Sequence, residues 1–513
     1  MGWLPDPSRA ESVAGSALTF PPLAANPMSD TSPFFKLPPY DHQREVWEKT
    51  RDLEGFALFW EMGVGKSCEI VGTTSWLYRK GEINTLIVVA PNGVKTNWTR
   101  DEVPDHLPDA IMAETEMMCW FSEKAGNKAT QERFAEVLAH PGLVVFVMAY
   151  DAVMTEKGSK ALKALLTKRD CLYVLDESGR IKTPGSKRTK RISASARYGK
   201  YRRILTGTPV DNSPFDVYTQ IRFICPGIWQ QYGVPNFGAF KTRYGIWEKR
   251  YNRTTKREFP HLTRYIKLDE LHSICDTVGS RLLKSDVLDL PDKLYTKSYF
   301  ELDGPQKKAY KELDKKFRTW LGDNGKATAD LILTRMLRLT QICSGFIKND
   351  DEEVVPVGKN VRLKALLDLL EDVSGSTIIW CRWSHSVDEI RKVLGEKDAV
   401  YFDGRTSADE REDAIQRFQK QGTARYFVAK ASAAGEGLTL HRAKTCIYFE
   451  NSWSLRERLQ SEDRAHRAGM SDEPVTYIDL IAAGTYDEKL LQALRAKRDT
   501  AAIITGDSIT PWA

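Results

Sequence analysis

The 513-residue chain is short of several things. Its eight cysteines stand singly, at Cys68, Cys119, Cys171, Cys225, Cys275, Cys343, Cys381 and Cys446, and none forms a C-x-x-C pair. That spacing argues against a disulfide scaffold or a zinc site and predicts buried free thiols in a reducing compartment. No apolar run reaches transmembrane length. The N-terminus lacks the basic start of a secretion signal, and prolines break up its apolar part. These absences predict a cytoplasmic protein with no membrane partner. One stretch also lacks charge of one sign. Between Arg180 and Arg203 there is no acidic residue, against Lys182, Lys187, Arg188, Lys190, Arg191, Arg197, Lys200 and Arg202. So one-sided a run suits a nucleic-acid phosphate backbone better than an ordinary solvated face.

What is present is an ordinary globular composition, 42% hydrophobic and 28% charged, with a net charge of +6. The length calls for two or three domains. Residues 1–34 are rich in Pro, Ser and Ala and read as disordered.

The stretch that organises the chain is Glu61-Met62-Gly63-Val64-Gly65-Lys66-Ser67, between the apolar run Phe56–Phe59 and a helix opening at Cys68. A glycine-rich strand-to-helix turn gathers backbone N–H groups into a phosphate cradle. Met62, Gly63, Val64 and Gly65 supply the loop, Lys66 reaches the β- and γ-phosphates of ATP, and the Ser67 hydroxyl holds Mg2+. Upstream, Gln43 is placed to read the adenine edge, with His42 or Tyr40 stacking on the ring.

Apolar runs at Leu86–Ala90, Leu143–Val147, Cys171–Leu175 and Arg203–Thr206 alternate with helical stretches, the pattern of a parallel sheet covered on both faces. The run ending at Leu175 leads into Asp176-Glu177, an acidic pair suited to Mg2+ (Asp176) and to activating the attacking water (Glu177). A second alternation follows, at Thr377–Trp380, Ala399–Phe402, Arg425–Ala429, Thr445–Phe449 and Val475–Leu480. It has no phosphate loop of its own. It carries Gly435-Glu436-Gly437 and then Gln460, Arg464 and Arg467, the two arginines three apart and so on one helical face. Two guanidinium groups facing a γ-phosphate across a cleft act as arginine fingers. A glycine turn, an acidic pair or an arginine pair is common alone; together and in this order they are not.

The expected fold class is therefore α/β, two recA-like parallel-sheet lobes with helical insertions. The divisions are residues 1–34; lobe 1 at 35–225; a helical insertion and linker at 226–300; a helical insertion at 301–355; lobe 2 at 356–500; and a tail at 501–513.

Over residues 36–495 the chain resembles the superfamily 2 helicase-type motors, and more narrowly the Swi/Snf-type DNA translocases. The family's DEMGLGKT is matched by Trp60–Ser67, its DEAHRIKN by Asp176–Lys182, and its LTGTPLQN by Leu205–Asn212. Asp286–Lys293 matches D-V-L-x-x-L-P-x-K, Phe402–Thr406 matches L-D-G-S-T, Arg464–Gly469 matches R-A-H-R-x-G, and Leu480–Glu488 matches L-I-x-x-G-T-x-x-E. Ser178-Gly179 stands where the family has Ala-His, Ser432 where many members have Arg, and His42-Gln43 for Tyr-Gln. The resemblance implies an ATP-dependent motor on double-stranded DNA, compact like bacterial or phage members and working as a monomer. It makes Asn97, Trp98, Tyr150, Lys182, Lys187, Arg188, Thr208, Arg382 and Ser432 the expected DNA contacts. Gly435, Gly437 and Gln460 join the ATP site. A strand-separating DNA or RNA helicase and a non-processive ATP-switched remodeller are the alternatives. Trp380–Trp383 is a place where a stacking element for strand separation could hide.

Overall fold

A computed structural model of the protein describes residues 33–252, 257–324, 329–349, 351–433, 438–467, 469–471 and 473–507, excepting the side chains of 252, 257, 316–324, 329–333 and 408. The expected disorder over 1–34 (all but its last two residues), Gly435, Gly437 and the end of the tail lie outside the described residues.

The strands of the first half are β1 (Gly55–Trp60), β2 (Thr85–Ala90), β3 (Thr115–Trp120), β4 (Leu143–Ala149), β5 (Cys171–Asp176) and β6 (Tyr201–Leu205). A hairpin, β7 (Gly245–Asn252) and β8 (Arg257–Tyr265), precedes β9 (Gly279–Leu282). The second half has β10 (Lys293–Phe300), the small pair β11 (Phe346–Lys348) and β12 (Val354–Pro356), then β13 (Thr377–Cys381), β14 (Ala399–Phe402), β15 (Tyr426–Lys430), β16 (Thr445–Tyr448) and β17 (Val475–Ala482).

Two parallel sheets result, with orders β3-β4-β2-β5-β6-β1-β9 and β10-β17-β16-β13-β15-β14. Apolar runs such as Leu143–Ala149 are buried along their whole length because helices cover both faces of each sheet. A separate hydrophobic cluster lies on each face of each sheet. The expected α/β class with two lobes is what is seen.

The segment 226–300, read as helical, needs correcting. It also holds the β7–β8 hairpin and two strands that complete the sheets, β9 beside β1 and β10 beside β17. These strands are polar or alternating because edges are only half covered. The two helices read over 305–346 are present, at Gly304–Asn324 and Ala329–Cys343.

In lobe 1 the register sets Asp176 beside Leu205, and Leu58 beside Leu205 on the other side. The loops after β1, β5 and β6 therefore open at one edge of the sheet, where ligands bind in such folds. The last helix, Tyr486–Thr505, leaves lobe 2 and packs on lobe 1: Ile504 joins the lobe 1 core, its carbonyl bonds His272 at 3.0 Å, and Asp507 takes Arg281 in a bidentate pair at 2.7 and 2.9 Å.

Candidate nucleotide and nucleic-acid site

The loop Glu61–Gly65 runs from β1 into the helix Lys66–Arg79. Gly63 and Gly65 both have φ +85°, a conformation that costs any other residue strain. Lys66 Nζ folds onto its own loop, donating to the carbonyls of Trp60 (2.9 Å) and Glu61 (3.0 Å). Burial pushes its ammonium below the usual lysine range, partly offset by Glu177, Asp176 and Asp463. Trp60, where the family has Asp, is buried, and its indole donates to Ser280 at 2.8 Å.

Gln43 is buried against this loop. Its Oε1 accepts from Tyr40 N at 2.9 Å, and its Nε2 lies 3.5 and 3.4 Å from the Val64 and Gly65 carbonyls. Both ends of the amide are thus engaged with protein. His42 bonds the Val64 carbonyl at 3.1 Å and stacks on Tyr40, the ring planes 11° apart.

The carboxylates sit at the end of β5. Asp176 Oδ2 accepts from Trp98 Nε1 at 3.0 Å, and its carbonyl accepts from Tyr150 Oη at 2.9 Å. Trp98 (2% exposed) and Tyr150 are buried. Both are expected DNA contacts; their polar atoms hold Asp176, and Tyr150 also lines a cleft between the lobes. The π-helical turn Trp98–Glu102 that carries this indole also brings Glu102 to the Ser67 hydroxyl. Ser67 and Asp176 are hard oxygen donors fitting Mg2+. Among the described residues no three His, Cys, Asp or Glu groups form a ready-made metal cage; Ser67 and Asp176 are the residues that would hold such an ion.

Across the interface lies the helix Leu455–Ala465 of lobe 2. Arg456, Gln460 and Arg464, spaced by four, form one stripe on it, and all three line a cleft of about 750 Å3 between the lobes. A second cleft of about 630 Å3, running past Glu61, Glu177, Lys284 and Asp463, shares Gln460 as a wall. Gln460 Nε2 is buried and has no hydrogen-bond partner among the described residues. Arg467 lies beyond the helix end, so the common face expected for it and Arg464 does not exist. The two nonetheless converge, both donating to the Leu438 carbonyl (3.2 and 3.3 Å).

The basic run divides in two. Arg180, Lys182 and Arg188 line the larger cleft, Lys182 paired with Asp211 and Arg188 with Asp151. Lys187 is exposed. Arg202 and Arg203 are instead buried in β6, Arg203 donating to the carbonyls of Thr50 and Leu53 (both 2.9 Å). Burial lowers Arg203 to about 10, with Glu69 opposing.

Of the other expected DNA contacts, Ser432 is exposed on the same cleft. Asn97 is half-buried in a short helix. Thr208 lines the nucleotide-side cleft. Arg382 is packed over Trp383, 4.5 Å from its ring, and lies off both clefts. Trp380 is fully buried. Sequence reading missed Arg456, Lys284, Asp463 and Glu102. Arg456 had a signal, one helical turn before Gln460; Glu102 had none.

Residues 43–345, more than half the chain, match the family model of the SNF2-related domain. The chain belongs to the SNF2-related family. Residues 359–469 match the helicase conserved C-terminal domain, which takes in β13 to β16 of the second sheet. Relatives of this SNF2-related chain include the nuclear protein STH1/NPS1 of Saccharomyces cerevisiae, 26% identical over 86% of this chain and 32% of its own length. The ATP-dependent DNA helicase DDM1 of Arabidopsis thaliana is 26% identical over 87% of this chain and 58% of its own. The chain thus spans less than two thirds of these proteins. A solved structure, the Sulfolobus solfataricus SWI2/SNF2 ATPase core in complex with dsDNA, is 23% identical with a TM-score of 0.40, covering 92% of this chain and 94% of that one. Among the described residues no helix is long and apolar enough to cross a membrane.

Proposed function

We propose that this SNF2-related chain hydrolyses ATP between its two lobes, is stimulated by double-stranded DNA, and moves along the duplex to remodel DNA or protein–DNA complexes. The observation that carries this reading is that Glu61 and Glu177 of lobe 1 share a cleft with Gln460 and Asp463 of lobe 2, beside the Lys66 ammonium on which Glu177, Asp176 and Asp463 all act.

In this reading Gly63–Ser67 cradle the phosphates, and Lys66 exchanges its two carbonyls for phosphate oxygens. Ser67 and Asp176 hold Mg2+, which neutralises phosphate charge when bound. Glu177 accepts a proton from the attacking water. Arg464 and Arg467 leave the Leu438 carbonyl for the γ-phosphate as the lobes close. His42, stacked on the exposed Tyr40, borders the adenine, with Gln43 fixing the loop beside it.

The track runs in the larger cleft, where Arg180, Lys182, Arg188, Arg411 and Arg456 outnumber Asp151 and Glu457. Phosphate contacts make binding weakly sequence-dependent and steeply salt-dependent. The relatives' printed names, a DNA helicase and a nuclear protein among them, support a DNA track inside the cell. The protein acts as a single copy in the cytoplasm of a bacterial or virus-infected cell.

The test is steady-state ATP hydrolysis with single-stranded DNA, duplexes of increasing length and RNA. Turnover that rises with duplex length and then saturates supports translocation. Stimulation by duplex without length dependence supports a non-processive remodeller, and stimulation mainly by single strands or RNA supports a helicase. Of the stretch Trp380–Trp383, Trp380 is buried while Arg382 and Trp383 are half-buried.

A further inference from the structure

Glu177 does not face the interface alone. Its Oε2 accepts from Arg456 Nη2 of the other lobe at 2.8 Å, with the two side chains 8% and 13% exposed. The Arg456 backbone N–H donates to Asp211 Oδ1 of lobe 1 at 3.1 Å, and Asp211 is itself paired with Lys182. The start of the lobe 2 helix is thereby seated against lobe 1, and the guanidinium is aimed at the carboxylate.

Gly179 makes the approach possible. A Cβ built there lies 3.2 Å from Arg456 Nη1, so any side chain at 179 crowds the path. Glu177 is held in the left-handed region, at φ +55°. Such strain in a non-glycine residue persists where the surroundings enforce it and concentrates at working sites. A carboxylate oxygen that already accepts from a buried guanidinium is held in place by it and is not free to turn toward a water.

Arg456 also lines the cationic cleft. It is therefore placed to bond the Glu177 carboxylate and, in the same cleft, a backbone phosphate.

We propose that Arg456 couples DNA to hydrolysis: its guanidinium restrains Glu177 across the lobes until a backbone phosphate in the cleft draws it away. This positioning role rests on the reading of the chain as a DNA-stimulated ATPase with Glu177 activating water.

Two measurements on the full chain test it. In Arg456→Ala, turnover without DNA rises several-fold and the ratio of DNA-stimulated to DNA-free turnover falls correspondingly. Gly179→Ala, which crowds Arg456 without removing it, moves both in the same direction by less. Independently of hydrolysis, the slope of log affinity for duplex against log salt concentration becomes shallower by about one in Arg456→Ala. It is kept in Arg456→Lys, which retains the charge. An unchanged ratio and slope overturn the proposal, as does a parallel fall of both activities. If the wild type shows no stimulation by DNA, the DNA-stimulated reading fails and the proposal with it. A stimulated wild type whose ratio survives Arg456→Ala removes the proposal alone.

Discussion

Lys284 Nζ donates to Asp463 Oδ1 at 2.7 Å, while the backbone N–H of the same lysine donates to Glu61 Oε2 at 2.8 Å. One residue in the segment leaving lobe 1 thus ties the phosphate loop to the helix bearing Gln460 and Arg464.

That tie has a pH signature. Burial alone would raise Asp463 and Glu462, but Lys284, Lys293 and Arg458 outweigh it and hold both below the ordinary carboxylate range. A depressed folded-state value contributes stability that is present above the unfolded value and lost as pH falls through the folded one. Acid unfolding is therefore expected to set in below about pH 4. Asp463→Asn should lower stability at pH 7 and flatten this acid dependence, as read by urea unfolding across pH.

Replacing Lys66 by Met removes the cation but keeps the stem. Because burial disfavours this ammonium, thermal unfolding should occur at the wild-type temperature or slightly above. Turnover should fall by about a hundredfold or more. A Lys66→Met protein that still hydrolyses ATP at the wild-type rate would remove the nucleotide-site assignment.

Trp98→Phe deletes one N–H and keeps the ring. A hydrogen bond to a charged group is worth about 1.5–3 kcal/mol, so turnover should drop by about tenfold or more. More Mg2+ should be needed for half-maximal rate, since the indole fixes the Asp176 carboxylate. A Mg2+ titration at saturating ATP checks this.

The two glycines of the loop should differ. Both have φ +85°, but a Cβ at Gly65 meets Gln43 Nε2 at 1.9 Å, whereas at Gly63 the nearest atom, Lys284 Cε, is 4.0 Å away. Gly65→Ala should weaken nucleotide binding well beyond Gly63→Ala. Calorimetric titration with a non-hydrolysable ATP analogue separates them.

Within the basic run, position decides the effect. Lys187→Glu, on an exposed side chain, should weaken duplex binding and lower its salt slope by about one while leaving the melting temperature unchanged. Arg203→Glu, in the core of β6, should fail to fold. Filter binding at several salt concentrations, alongside thermal melts, gives the contrast.

That contrast shows what the sequence could and could not tell. Central strands such as Leu143–Ala149 were legible because both faces are covered and every residue must be apolar. Edge strands were not. Gly279–Leu282 carries Ser280 and Arg281, and Lys293–Phe300 alternates, because an edge is half solvated. The phosphate loop and Asp176-Glu177 were legible through their position after apolar runs. The partners of Arg203 were not legible, because only the fold brings it the carbonyls of Thr50 and Leu53. The Trp98 bond was hidden for the same reason: its partner, Asp176, comes from a distant strand. Arg464 and Arg467 meet although helical spacing gave the wrong reason, since the helix stops at Ala465.

The return of the helix Tyr486–Thr505 to lobe 1 has a mechanical meaning. The lobes are joined covalently through Leu283–Asp292 and again, without covalent bonds, where Asp507 and Ile504 meet Arg281 and His272. Both links reach lobe 1 within two residues of each other, at Arg281 and Leu283, so they tether the last helix of lobe 2 and the linker to one corner of lobe 1. Arg456 and Glu177 meet elsewhere on the interface, and parting them opens the cleft while that corner stays joined.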